Sequence, residues 1–314
     1  MKCLVTGAAG FIGSHLCERL LQAGHTVVGV DGFVPSYARS AKEANLAFCR
    51  SCCGFAFHAL DLRTDPLDPI VAGAEVIFHL AAMPGLPKSW TDFPLYESCN
   101  IIATQRLVEA ARRLPSLQRF IYGSTSSVYG RYASGDETLN TKPISPYGVT
   151  KLAAENLCRA YADEHGLPLV ALRYFSVYGP RQRPDMGYFR FVRALLTGQP
   201  VVVYGDGMQV RGNTYVADCV EATVAAIGAV PGEIYNVGGG EAVTVWDILS
   251  KLEVLIGCQS AIQREPARPG DQRYTCADTG KIHRHLGWQP RIGIDEGLAR
   301  QLAWQRREGN ARAA

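Results

Sequence analysis

Tyr147 and Lys151 stand four residues apart, a spacing that puts both side chains on one face of a helix, and Ser145 and Pro146 before them supply a cap and a first-turn residue. A free phenol titrates near ~10 and is a weak base at neutral pH. A lysine ammonium held beside it favours the phenolate, which can then take a hydroxyl proton from a substrate. Such a pair also arises by chance on amphipathic helices, so other groups must join it. Upstream, Ser124-Thr125-Ser126-Ser127-Val128-Tyr129-Gly130 closes an apolar strand and offers hydroxyls to a substrate oxygen, although a Ser/Thr-rich turn is the plainer reading.

A second constellation lies at the N-terminus, where Gly7-Ala8-Ala9-Gly10-Phe11-Ile12-Gly13 follows a short apolar run and opens a helix. The first glycine permits a tight turn, the second lets backbone approach a pyrophosphate, and the third allows close helix–strand packing; the helix start at Phe11 and Ile12 favours an anion. Asp31 ends the next strand, where a carboxylate bonds both ribose hydroxyls of adenosine and repels a 2′-phosphate. NAD is therefore expected rather than NADP, with Tyr147 and Lys151 at its nicotinamide end. Asp61 and Leu62 close the third strand within reach of adenine, and Leu80, Ala81 and Ala82 close the fourth beside the pyrophosphate. Both segments also read as ordinary strand-end packing.

These residues need a scaffold. Apolar runs at 2–6, 26–30, 55–59, 75–80, 119–122 and 169–174 are continuous rather than alternating, as in parallel strands covered on both faces. Between them, 11–23, 101–113 and 147–165 carry apolar residues at helical spacing. The expected fold is α/β, a Rossmann-type doubly wound parallel sheet with a smaller C-terminal substrate-binding domain. Residues 1–177 form the NAD-binding part, 213–240 return to it, and 178–314, rich in Pro, Gly and Arg with short strands at 201–204 and 234–237, form the smaller part. The end from Glu308 to Ala314 is expected to fray.

The chain has 314 residues, 47% of them hydrophobic, enough for a large packed core. Its net charge of +3 comes without a basic stripe, which argues against nucleic acid as a partner. No window approaches the ~20 apolar residues of a spanning helix and no signal segment precedes the first strand, so no membrane partner and a cytoplasmic location are expected. Of ten cysteines, Cys3, Cys17, Cys99, Cys158 and Cys219 fall inside expected elements and read as buried thiols. Cys49, Cys52 and Cys53 cluster without a second Cys/His pair, so no metal site is expected.

Together these residues resemble the extended short-chain dehydrogenase/reductases, specifically the NAD-dependent nucleotide-sugar epimerase/dehydratase group. The resemblance covers nearly the whole chain. It takes in the three glycines, His79-Leu80-Ala81-Ala82, the Ser124 to Gly130 run, Tyr147/Lys151, Arg173-Tyr174-Phe175-Ser176-Val177-Tyr178-Gly179-Pro180-Arg181, Tyr204-Gly205-Asp206-Gly207 with Arg211, Arg268-Pro269-Gly270-Asp271 and Ala277-Asp278. It implies that Arg211, Arg268 and Asp271 hold a nucleotide diphosphate and ribose. It also implies a homodimer formed through the helices at 101–113 and 147–165.

Within the group the chain is most similar to UDP-glucuronate 4-epimerases, through Pro84-Gly85 followed by Ser89-Trp90 and through Arg181-Gln182-Arg183-Pro184-Asp185-Met186. By that resemblance Thr125 bonds the reacting O4, Ser124 and Ser126 line the pocket, and Ser176 and Arg183 face the C6 carboxylate, with Pro84 and Gly85 at the sugar. Pro87 and Lys88 stand where those enzymes tend to carry an arginine after Pro-Gly-x, and Gly212-Asn213 replaces their Asp-Phe after Arg211. Related dehydratases carry Asp-Glu where this chain has Ser126-Ser127, UDP-xylose-type decarboxylases tend to carry Glu at Ser127, and enzymes inverting C3 or C5 need a Cys or His that the strand end lacks. The resemblance thus implies 4-epimerisation of UDP-glucuronate to UDP-galacturonate through a transient 4-keto intermediate with tightly bound NAD. The alternatives are a UDP-glucose or UDP-N-acetylglucosamine 4-epimerase and, behind them, a UDP-glucuronate decarboxylase or a non-catalytic NAD-bound regulator.

Overall fold

The computed structural model describes residues 1–313, with side chains as far as Glu308. Seven parallel strands form the main sheet in the order Ile234–Val237, Leu169–Tyr174, Arg119–Thr125, Val76–His79, Lys2–Thr6, Thr26–Val30 and Phe55–His58. Successive residues of each strand enter opposite layers. Cys3, Val5, Phe78 and Ile121 pack with Leu16, Cys17 and Leu20 of helix Phe11–Gln22 and with Val216 and Cys219 of helix Val216–Ala225. Leu4, Ile77, Phe120 and Tyr122 pack on the other face with Leu107 and Val108 of helix Ala103–Ala111 and with Ala154 and Cys158 of helix Pro146–His165. Each fully buried side chain of this size contributes roughly 1.5–3 kcal/mol. Two buried faces are the reason the strands read as unbroken apolar runs. This is the doubly wound α/β fold expected from the sequence.

The strand order reverses between Lys2–Thr6 and Val76–His79, and at such a switch point the strand ends open a crevice. The Gly7 turn and the Leu80-Ala81-Ala82 segment leave the sheet on either side of it. The first helix of the lower layer begins differently from the expectation of 101–113: Ala103–Ala111 is entered through one π turn, Ser98–Ile102.

After Tyr174 the chain leaves the sheet. Val177–Tyr178 pairs with Thr214–Tyr215, and Ile234–Val237 then returns to the edge beside Leu169–Tyr174. A four-stranded sheet orders Ala242–Thr244, Val210–Gly212, Tyr274–Ala277 and Tyr132–Gly135, and Ile262–Glu265 pairs with Val201–Tyr204. The smaller region therefore borrows a strand from the first half of the chain. Its last helix, Ile294–Ala313, continues through Glu308 where fraying was expected; Ala314 and the side chains after Glu308 lie outside the described residues.

Candidate active site

Helix Pro146–His165 starts as its sequence requires, with the Ser145 hydroxyl accepting a hydrogen bond from the Gly148 backbone N–H at 3.1 Å and proline in the first turn. Tyr147 and Lys151 consequently face the end of strand Arg119–Thr125. Thr125 caps the short helix Ser126–Tyr129, accepting from the Ser127 N–H at 3.2 Å, and bonds Tyr147. Burial pushes the Tyr147 phenol up, while the bond to Thr125 and the charge of Arg183 draw it back toward ionisation. Lys151 is buried with its ammonium 4.1 Å from the centre of the Tyr122 ring. Burial brings that lysine down to about 7, with Cys158 and Glu155 opposing the fall. Thr125 and Arg183 thus join the groups that favour the phenolate.

The three hydroxyls of the strand end are not equivalent. Ser124 donates to the Glu155 carboxylate, itself paired with the buried Arg173, whose Nη1 reaches the Tyr129 oxygen at 2.7 Å. Ser126 donates to Gln272 Oε1 at 3.2 Å, and the Gln272 amide in turn donates to the carbonyls of Ser126 and Gly130. Ser124 lines the cleft beside Tyr147, whereas Ser126 is turned toward the segment that carries Arg268 and Asp271.

One elongated cleft runs along the strand ends. It is lined by Gly7, Gly10, Phe11, Ile12 and Gly13, by Asp31, Asp61 and Leu62, by Leu80, Ala81, Ala82 and Pro84, and by Tyr147, Lys151 and Arg183. Gly7 turns with φ +71°, and a Cβ at Gly13 would lie 2.1 Å from the Gly7 carbonyl oxygen, so the third glycine closes the helix onto the turn itself. No side chain caps helix Phe11–Gln22 and no acid occupies its first turn, which leaves backbone N–H groups for a phosphate. Asp31 accepts from the Phe33 N–H at 2.8 Å and has the buried Lys42 ammonium 3.5 Å away. The Asp61 carboxyl is held below its usual range by the side chain of Arg63, which grips it at 2.7 Å. Between Asp31 and Arg183, the hydroxyl of Tyr37 is buried with no partner among the described residues. An elongated dinucleotide fits these features: anion-ready helix start, carboxylate at the ribose position and an unpaired hydroxyl.

A second cleft adjoins the first and is lined by Ser176, Asp185, Tyr188, Arg190, Arg211, Arg268 and Asp271, among others. The Arg268 guanidinium lies 3.3 Å from the centre of the Tyr204 ring, with Arg190 on the same ring at 5.5 Å. Burial raises the Asp271 carboxyl against the pull of Arg211 and Arg268. Asn213, standing where related chains have phenylalanine, bonds the Arg211 carbonyl at 2.8 Å and accepts from Tyr188, so it holds the backbone under Arg211. Pro84 and Gly85 approach from the opposite wall, their carbonyls both bound by the buried Tyr96 hydroxyl at 2.8 and 2.7 Å. Lys88 is not brought to either cleft; its ammonium pairs with Asp92 at 3.6 Å on its own helix turn.

The profile of the NAD dependent epimerase/dehydratase family matches residues 3–238. The chain belongs to this family. Its epimerase/dehydratase relatives include the uncharacterized UDP-glucose epimerase YtcB of Bacillus subtilis, 42% identical over 97% of this chain and 98% of that protein. A UDP-glucuronate 4-epimerase of Thermodesulfobacterium geofontis is 35% identical over 96% and 95%. Among solved structures, the UDP-glucuronic acid 4-epimerase of Bacillus cereus, in complex with UDP-glucuronic acid and NAD, superposes with a TM-score of 0.95 at 41% identity, covering 98% of this chain and 100% of that one.

Within the epimerase/dehydratase scaffold, several residues at the site escape a reading of the sequence. Lys42 is the buried partner of Asp31 on a short helix with no periodic signal. Asn100 sits on the π turn, accepting from the Met83 N–H at 2.6 Å and donating to Thr150 at 3.0 Å, so it ties the Pro84 segment to the catalytic helix. A polar residue between Cys99 and Ile101 on an otherwise apolar helical face was the available signal. Glu155 repeats the Tyr147/Lys151 spacing once more and could have been found the same way. Gln272 and Arg190 carry no such signal, because only the tertiary fold brings them to the clefts.

Proposed function

We propose that the chain is an NAD-dependent UDP-glucuronate 4-epimerase, an isomerase interconverting UDP-glucuronate and UDP-galacturonate through a 4-keto intermediate. The observation that carries the uronate assignment is Arg183 in one cleft with Tyr147, because a guanidinium fork matches a carboxylate. Tyr147 takes the O4 proton, Thr125 bonds the same oxygen, and Lys151 holds the nicotinamide ribose. NAD, held along Gly7, Gly10, Gly13 and Asp31, would supply a reversible hydride acceptor for C4. Arg211, Arg268 and Asp271 hold the diphosphate and ribose, which anchors the nucleotide while the 4-keto sugar turns over, and Ser176 with Arg183 faces the carboxylate. The functional division we propose is residues 1–177 with 213–240 for the cofactor and 178–314 for the nucleotide sugar.

Exposed Ile102 and Val149, on the helical segments expected to pair between subunits, support a homodimer, and ten free thiols suit a cytoplasmic setting. No described helix is long and apolar enough to cross a membrane. Separate incubation with UDP-glucuronate, UDP-glucose and UDP-N-acetylglucosamine, with products resolved by chromatography, tests the assignment. The galacturonate product from the first substrate is expected, and its absence overturns the reading. Light scattering reads the dimer, and a monomeric mass refutes it.

A further inference from the structure

Arg183 is held by its neighbour at the point where the two clefts meet. Its Nε and Nη2 donate to the two carboxylate oxygens of Asp185, each at 3.0 Å, so one edge of the guanidinium is taken. Pro184 lies between the two residues, and the Met186 N–H closes the turn on the Arg183 carbonyl at 3.1 Å. A turn with proline at its second position is stiff, and both side chains leave it in fixed directions. Nη1 has no partner among the described residues. Arg183 lines the cleft with Tyr147 and Asp185 lines the other. From the opposite wall, a Cβ at Gly85 would come 3.6 Å from the Asp185 carboxylate, so the Pro84-Gly85 segment backs the pair.

We propose that Asp185 is a positioning residue for the uronate: by clamping the Nε edge of Arg183 it fixes the guanidinium plane and leaves the Nη1/Nη2 fork to hold the sugar carboxylate in place. The inference rests on the UDP-glucuronate reading and deepens it. After C4 is oxidised, the C6 carboxylate is β to a ketone. If the ring puckers so that the C5–C6 bond stands perpendicular to the plane of the C4 carbonyl, that bond breaks. Its electron pair moves onto C5 and the conjugated C4 oxygen, carbon dioxide leaves, and a proton from water completes C5 to give a UDP-4-keto-pentose. A guanidinium free to swing about its Cδ–Nε bond would follow the carboxylate as the ring puckers, and a clamped one holds it back. Asp185 also balances the Arg183 charge, so a neutral hexose leaves no lone cation facing its C6 hydroxyl.

The test compares wild-type, Asp185→Asn and Asp185→Glu holoenzymes with UDP-glucuronate, resolving epimer and decarboxylated sugar by mass spectrometry, and measures UDP-glucuronate and UDP-glucose binding by calorimetry. Asn keeps the size but loses the charge and one acceptor. It should raise the ratio of keto-pentose to epimer by about tenfold or more, with the uronate KM unchanged or lower, and shift the binding ratio toward the uronate by about fivefold. Glu, which retains the carboxylate, should recover part of the fidelity and covers the case in which the Asn variant fails to fold. A merely structural role would raise KM for both sugars and leave the product ratio untouched, which overturns the proposal. Failure of the wild type to epimerise UDP-glucuronate overturns the underlying reading and this inference with it, whereas a working wild type with unchanged variant product ratios overturns this inference alone.

Discussion

In the cofactor cleft and directly beneath it, the acids come with their own cations: Asp31 with Lys42, Asp61 with Arg63, and Glu155 under Ser124 with Arg173. In the adjoining cleft, with Asp185 taken by Arg183, the cations Arg190, Arg211 and Arg268 face Asp271 alone. In the first cleft, among the described residues, Lys151 alone of the lining cations has no carboxylate partner, and the cleft selects its ligand chiefly through backbone N–H groups, strand-end shape and a few placed oxygens. The second holds positive charge that only an incoming anion can balance, which suits a diphosphate.

The largest test of this contrast is Tyr147→Phe. It removes one oxygen from a cleft otherwise complete, so turnover should fall by about 10²–10⁴-fold while NAD remains bound, read as product formation beside cofactor content of the purified protein. Turnover within about tenfold of wild type would remove Tyr147 as the base. Arg268→Ala strikes the other cleft, and the KM for the UDP-sugar should rise roughly 10–100-fold, the value of a charge-assisted bond, with kcat changed much less. An equal loss in kcat would mean that the two clefts are not separable.

Asp31→Ala sharpens the comparison by unbalancing the first cleft. Lys42 would be left buried and unpaired, a cation suited to a 2′-phosphate, so NAD affinity should fall about tenfold and NADP should begin to bind. Titration of cofactor-stripped protein with both dinucleotides reads it, and continued exclusion of NADP would show that Asp31 does not discriminate. The smallest effect is on stability. Lys151 titrates at about 7 in the fold against 10.5 unfolded, so below pH 7 both states are charged and the fold carries the whole cost of a buried ammonium. Above pH 7 the folded chain sheds a proton that the unfolded chain keeps, and that cost falls until about 10.5. Lys151→Met should therefore stabilise the cofactor-free protein by about 1–3 kcal/mol below neutrality, with the gain shrinking as pH rises, as followed by thermal melts. A gain independent of pH would contradict the buried charge.

The contrast also governs what could be read from sequence. Gly7, Gly10, Gly13, Asp31 and the Tyr147/Lys151 pair are placed by strand ends and one helix, so local spacing carries their positions, and the structure lines them along one cleft. Strand limits came within a few residues for the same reason; Arg119–Thr125 runs longer than 119–122 because Gly123 and Ser124 still pair with Leu172 and Arg173. Lys42, Gln272 and Arg190 were invisible because their partners are distant in sequence, as in the bond from Ser126 to Gln272. The side-by-side clamp of Arg183 and Asp185 lay in plain view as Arg-Pro-Asp, but which edge of the guanidinium it takes is a matter of rotamers.

The seam where Ile234–Val237 pairs with Leu169–Tyr174 also governs how this chain is made. During synthesis the first six strands of the sheet emerge in sequence, yet the last must wait for the intervening residues 178–233. Until then Leu169–Tyr174 is an open edge whose first four side chains, Leu169 to Leu172, are apolar on both faces, a template for pairing with another nascent chain. A ribosome stalled before residue 234 would hold a nearly finished sheet with its most adhesive border bare. Chaperone demand should therefore peak late in translation and end abruptly once that strand has docked.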